Sequence, residues 1–354
     1  MTDSYPFCTA EEVRDILHRR APEAHKGNFG HGLLIAGSYE MCGAAILAGR
    51  AAVRSGIGLL DIQVPPCAYP TVQAAIPEAM VKRDQASERY FAFVPPLDKY
   101  QAVAIGPGLG TGSLQLKGLE RLLEQFPANE SDNRSSVSAG TDLTSANSDR
   151  LPTNIDLTSA NTDQLSADTN RLPADGPSAS TGRSHSRPAA LVLDADALNL
   201  LSAHRELLGR LPENTIMTPH PKEFERLAGP SASRGESIEK AAAFAREHHT
   251  HLVLKGHHTA LVTPDGSVCL NSTGNAGMAT GGSGDVLTGI LLSLLAQGYS
   301  CAEACRLGVW LHGLSADLAV AGPESEESLS AGDLVAWLGR AFKTVQDYGA
   351  VSHI

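Results

Sequence analysis

Short, unbroken apolar runs separated by longer stretches of helical pattern constrain this chain more than any other feature. GLLIAG at 32–37, LLDIQVP from Leu59, QAVAIG from Gln101, LVLD from Leu191, NTIM from Asn214, HLVL from His251 and ALV from Ala260 carry few polar positions. Strands with one wet face would alternate; these do not, so they belong inside a mostly parallel sheet covered on both faces. HLVLKG and ALVTP are joined by only His257–Thr259, too few residues for a crossover, so a β-hairpin is expected there. From Gly284 onward the pattern is helical, in VLTGILLSLLAQG and AEACRLGVWLHGLSADLA. The prediction is one α/β domain with a mostly parallel central sheet, helices on both faces and a hairpin.

One segment does not fit that rhythm. From 128 to 188 the chain is rich in Ser, Thr, Asn, Asp and Pro and has no aromatic residue; DLTSAN occurs twice, at Asp142–Asn147 and Asp156–Asn161. Such a composition buries too little apolar surface to offset the entropy of ordering the backbone. The expectation is a disordered insertion in a surface loop, interrupting a domain built from 1–127 and 189–354.

Composition narrows the function classes. A formal net charge of −11 argues against a general affinity for nucleic acid, which would favour a basic face. An anionic nucleotide can still be bound, by helix N-termini and single lysines. The start, MTDSYPFCTAEEVRDILHRR, lacks a basic region followed by an apolar core, so no leader is expected. The longest apolar stretch, Val286–Leu295, is far short of the roughly 20 residues that span a bilayer. Cys8, Cys42, Cys67, Cys269, Cys301 and Cys305 form no zinc-knuckle or redox spacing, and all are expected reduced in a cytoplasmic protein.

The chemistry concentrates at Asn275–Asp285, NAGMATGGSGD, just before an apolar helix. Gly281, Gly282, Ser283 and Gly284 present bare amides there, and the helix adds its own unpaired N–H groups and the positive end of its dipole. Together they suit a phosphoryl group, with Asp285 placed to take a proton from an attacking hydroxyl. The plainer alternative makes Asp285 an ordinary N-cap. Lys255 leaves a buried strand into KGHHT and can meet a phosphate as a point charge. His220, held between two prolines in TPHPKEFERL, is fixed and extended at a strand end, where an open sheet keeps its ligand crevice. TPHP is alternatively a simple strand–helix turn. The histidines at 248, 249, 251, 257 and 258 find no Cys or carboxylate to complete a ligand set, and no metal site of protein ligands is expected. GPGLG at 106–110 runs toward the insertion rather than a second strand and acidic residue, so it is not a dinucleotide fingerprint. Asp194 and Asp196 in LDADAL either hold Mg²⁺ through water or cap the next helix.

Taken in order and spacing, KGNFGHGLLIAGS, GAAILAGRAAVRSGIG, GPGLG, LDADALNLL, TPHPKEFERL, LVLKG and NAGMATGGSGDVLTG resemble the ADP-dependent NAD(P)H-hydrate dehydratases over nearly the whole chain except the insertion. The resemblance implies a ribokinase-like fold and a lyase that returns the S-epimer of hydrated NADH or NADPH to NADH or NADPH, with ADP as co-substrate and Mg²⁺. It implies that Ala44 or Ala45, Gly108, His220 and Asp285 contact the hydrated nicotinamide nucleotide. It further implies that Lys255, Gly256, His257, His258, Thr259 and Gly284 hold ADP, and that the protein is a homotetramer. Family members with an epimerase carry it as an N-terminal domain; here the pattern begins by about Thr9, so none is expected. A small-molecule kinase of the same fold and a non-catalytic nucleotide sensor are the competing functions.

Overall fold

The computed structural model describes residues 5–126 and 190–348. The insertion predicted at 128–188 lies outside them. Nine strands form one sheet: β1 (His31–Ile35), β2 (Leu59–Val64), β3 (Met80–Arg83), β4 (Ala102–Ile105), β5 (Ala190–Leu193), β6 (Thr215–Met217), β7 (His251–Leu254), β8 (Ala260–Val262) and β9 (Val268–Leu270). Their order is β3-β2-β1-β4-β5-β6-β7-β8-β9. β3 through β7 pair in parallel; β7–β8 and β8–β9 are antiparallel, so the expected hairpin is present.

The apolar runs became strands because every position finds cover. In β4, Val103 and Ile105 face one core layer while Ala102 and Ala104 face the other; β5 divides Leu191 and Leu193 from Val192 in the same way. The helices are α1 (Ala10–Ile16), α2 (Cys42–Arg54), α3 (Tyr69–Ala75), α4 (Ser113–Leu123), α5 (Asp196–Ala203), α6 (Pro221–Ala228), α7 (Arg234–His248), α8 (Ser283–Ala296), α9 (Cys301–Val320) and α10 (Ala331–Asp347). Residues of α2, α8, α9 and α10 build one layer, and residues of α4 to α7 build the other. This is the two-sided α/β architecture expected.

α8 sits deepest. Val286, Leu287, Ile290, Leu291, Leu292 and Leu294 are all buried, each worth about 1.5–3 kcal/mol by area removed from water. A Cβ at Gly289 would stand 1.9 Å from the Ala48 carbonyl oxygen, so only glycine lets α8 lie directly on α2. That packing determines where the N-terminus of α8 points.

Two strands have no counterpart among the apolar runs. β3 has one buried residue, Val81, and β9 has one, Leu270. Both are sheet edges, where an exposed face removes the continuous apolar signal. One cysteine expectation is also corrected. Cys8 and Cys269 form a disulfide, Cα atoms 6.1 Å apart, because the segment around Phe7 pairs with β9 at Leu270 and brings them side by side. Cys42, Cys67, Cys301 and Cys305 are free thiols. Among the described residues no helix is long and apolar enough to cross a membrane.

Candidate active site

Strand order reverses between β1 and β4, where β1 stands between β2 and β4. In an open parallel sheet the loops leaving the carboxyl ends on either side of such a point diverge and leave a crevice. The loops after β1, β4, β5, β6 and β7 carry the motifs picked out above, and hydrogen bonds tie them together. Gly37 N donates to the Pro107 carbonyl (2.8 Å), Gly110 N to Asp196 Oδ2 (2.8 Å) and Lys255 N to the Pro219 carbonyl (2.9 Å). Gly108 has φ +64, and a Cβ there would lie 2.8 Å from the Met41 carbonyl oxygen and 3.0 Å from Ala44 Cβ. Ala44 is half-buried beside it, whereas Ala45 is fully buried and packs toward Gly37.

Asp194 is the hub of the crevice floor. It leaves β5 with 1% of its surface exposed. Its Oδ1 accepts from Lys255 Nζ (2.9 Å) and Thr218 Oγ1 (2.7 Å), and its Oδ2 accepts from Thr288 Oγ1 (2.8 Å). One carboxylate therefore links β5, β6, β7 and α8. The capping alternative for Asp194 does not hold, because its oxygens accept from these donors and Ala195 stands at the N-cap of α5 with no side-chain cap. Asp196 is the first residue of α5, accepting from Gly110 N and from Asn199 Nδ2 (3.3 Å).

Lys255 also lies 4.0 Å from Glu223 Oε2. Burial works against its charge, but the neighbouring Asp194 and Glu223 outweigh that and hold the ammonium above its usual range. Glu223, buried, is held above the ordinary carboxylate range: burial raises it, with Lys255 opposing. His220 is extended, as the flanking prolines predicted, and it caps α6. Its Nδ1 accepts from Lys222 N (3.1 Å) and Glu223 N (3.3 Å), while Glu223 Oε2 accepts from His220 N (2.8 Å). An accepting Nδ1 leaves the ring proton on Nε2. Burial and then Lys255 lower its pKa, favouring this neutral form.

α8 begins at Ser283, earlier than the apolar run alone indicated, with Gly282 as a left-handed N-cap. Asp285 is thus inside the first turn and is not the cap. Among the described residues the N–H groups of Gly284 and Asp285 have no acceptor. Gly281 is exposed, and Ser283 is buried with its Oγ 3.3 Å from His312 Nε2. A Cβ at Gly284 would stand 3.3 Å from Lys255 Nζ, so the lysine crosses the mouth of the helix. Asp285 is pushed up to about 7, first by burial and then by Asp194, with Lys255 opposing and Asp196 adding. A carboxyl poised near neutrality beside free amides and a cation can move a proton next to an anion.

The outer part of the nucleotide motif is shaped as a loop. Gly256 and His257 are exposed, His258 is left-handed, and Thr259 Oγ1 donates to the Gly256 carbonyl (3.1 Å). Arg234 Nη2 donates to the His258 carbonyl (2.7 Å), and Phe7 meets the His258 ring edge-on at 5.0 Å. Sequence reasoning missed Thr218, Thr288, Glu223 and Arg234 as parts of the site, since a lone threonine or arginine carries no spacing signal. It missed Asp317 too, which accepts from Gly274 N (2.8 Å) and Asn275 Nδ2 (3.0 Å) and steadies the glycine loop.

Comparison with known proteins gives the family and the fold. The NAD(P)H-hydrate dehydratase family model matches residues 32–130 and 179–334. The ADP-dependent (S)-NAD(P)H-hydrate dehydratase of Bacillus subtilis is 33% identical over 315 residues, covering 88% of this chain and 89% of that protein. The enzyme of the same description from Neisseria meningitidis is 32% identical over 316 residues, covering 88% and 84%. The bifunctional NAD(P)H-hydrate repair enzyme Nnr of Moorella thermoacetica is 32% identical over 350 residues, and the chain spans about half (54%) of its length. The crystal structure of the Bacillus subtilis ADP/ATP-dependent NAD(P)H-hydrate dehydratase, co-crystallised with ATP and Mg²⁺, superposes with a TM-score of 0.67. Identity there is 29%, covering 97% of this chain and 99% of that one. A ribokinase-like superfamily protein of Enterococcus faecalis, 22% identical and covering 97% of each chain, shares the fold with a TM-score of 0.68. With the motifs gathered at one sheet edge and relatives matching across nearly all of it, the chain belongs to the NAD(P)H-hydrate dehydratase family and has the ribokinase-like fold.

Proposed function

We propose that this protein is an ADP-dependent (S)-NAD(P)H-hydrate dehydratase, a carbon–oxygen lyase of metabolite repair. The observation that carries the reading is Asp285, pushed up to about 7, in the same helical turn as the free Gly284 and Asp285 amides and across from Lys255. The hydrated nicotinamide lies against Ala44, Gly108 and His220; of the two alanines, Ala44 has surface to offer and Ala45 supports it from the core. ADP lies along Lys255–Thr259, with its terminal phosphate at Gly281–Gly284.

Asp285 takes the proton of the hydroxyl on C6 of the hydrated ring, and that oxygen attacks the β-phosphorus of ADP as the bond to AMP breaks. The α8 amides and Lys255 stabilise the charge on the transferring phosphoryl group. The C6–O bond of the resulting ester then breaks, the ring nitrogen lone pair pushing out phosphate. Loss of a proton from C5 restores the dihydropyridine.

Among the described residues no three His, Cys, Asp or Glu side chains group as metal ligands, and Asp194 is already committed to Lys255, Thr218 and Thr288. Lys255 and the α8 amides would hold the phosphates of a nucleotide that brings its own Mg²⁺. Bound there, it supplies charge neutralisation at the phosphates. The reading also takes residues 1–127 and 189–354 as one catalytic domain around a non-catalytic insertion, in a cytoplasmic homotetramer; sedimentation equilibrium tests the assembly.

Incubating the protein with ADP and hydrated NADH tests the reaction. NADH absorbance should rise with one AMP and one phosphate released per NADH. A stable phosphorylated product, as a small-molecule kinase of this fold would leave, sinks the proposal, as does nucleotide binding with no turnover.

A further inference from the structure

Asp194 has a second consequence, resting on the dehydratase reading. Its carboxylate is shared by the lysine at the mouth of α8 and by α8 itself, through Thr288. Thr218 Oγ1 completes the set from β6. We infer that Asp194 is a positioning residue of this site, a buried anion that aims Lys255 and the start of α8 at one spot and offsets the lysine's charge beside Asp285. It touches neither substrate in this arrangement and acts through the groups it holds.

The geometry makes the charge effect calculable in sign. The charged groups acting on Asp285 are Asp194 at the end of β5, Lys255 at the end of β7 and Asp196 at the start of α5. Behind Lys255 stand Glu223, at 4.0 Å, and His220, the cap of α6. Without Asp194, Lys255 would face Asp285 with only Glu223 to balance it, and the base would become a weaker one. An unbalanced ammonium beside free amides would meanwhile attract a nucleotide phosphate more strongly. A residue that only props up the fold would do neither.

Asp194→Asn keeps the shape and removes the charge, and kcat against pH with calorimetric ADP titration reads it. Turnover should fall about 10–100-fold, and the acid limb of kcat should move down by about one pH unit. ADP should bind as tightly as before or more so. An unmoved limb, or ADP affinity lost in step with turnover, overturns the inference. Thr288→Val leaves the charge and removes one contact, which keeps the idea testable if the first variant does not fold. Its turnover should drop a few-fold with the limb in place, and unchanged turnover counts against positioning through α8. Absence of wild-type turnover would sink the dehydratase reading instead. The carboxyl titration and ADP affinity of Asp194→Asn would still decide the role of Asp194.

Discussion

Two carboxylates in this molecule, Asp61 buried and Asp285 half-buried, have opposite fates. Asp61, in the middle of β2 and wholly buried, accepts from His31 Nε2 (3.0 Å), Lys99 Nζ (2.8 Å) and Tyr100 Oη (2.6 Å). Burial alone would raise it, but those hydrogen bonds outweigh burial and hold it well below the usual carboxylate range. Among the described residues Asp285 has no such hydrogen-bond partners; burial and Asp194 raise it to about 7 against the pull of Lys255. A buried acid whose donors are supplied stays ionised and serves the fold. One that is left unpaired beside another carboxylate keeps a proton available for chemistry.

The largest expected effect separates them by turnover. Asp285→Asn should lower kcat about a thousandfold while calorimetry finds ADP binding almost unchanged, because the side chain moves a proton without gripping phosphate. Asp61→Asn should leave kcat per folded molecule intact and cost about 3 kcal/mol of stability in urea unfolding, since Lys99 loses its counter-ion and the amide replaces one of the two accepting oxygens with a donor. A catalytic defect in Asp61→Asn that exceeds its loss of folded protein would erase the distinction.

A smaller effect has opposite signs at the two sites. Asp61 is depressed, so its stabilisation is present above the unfolded value of 3.8 and is lost as pH falls toward its folded pKa. Asp285 is raised, so its contribution is complete below 3.8 and is lost as pH climbs through about 7. Above neutrality the wild type therefore carries an ionised, poorly solvated group. Asp285→Asn should be the more stable protein at pH 8 by about 1–2 kcal/mol, and the gain should vanish near pH 4. Equal Tm values for the two proteins at pH 8 would argue that Asp285 is not destabilised in the fold.

The same contrast explains what was legible in the sequence. β1, β2 and β4 to β8 announced themselves because burial on both faces demands unbroken apolar runs, and the glycine-rich stretch before α8 announced an anion hole because few other structures need four glycines there. β3 and β9 were silent because an edge strand may be mostly polar. Asp61 sits inside LLDIQV and Asp194 just past β5 in LVLDAD, and nothing in either stretch says which donors tertiary structure will bring. The start of α8 was legible to within a residue, Gly284 against Ser283, but the direction of the helix rests on packing against α2 through Gly289, which no local pattern states. The pairing of Cys8 with Cys269, 261 residues apart, likewise depends on the strand alignment at Leu270.

The most direct measurement is a carbon-13 NMR titration of the aspartate carboxyls, with Asp285→Asn supplying the assignment. One aspartate should titrate near pH 7 in the wild type and vanish in the variant, with Asp61 ionised across the same range. An Asp285 signal that titrates near 4, like an ordinary exposed acid, would contradict the assignment of this residue as the base.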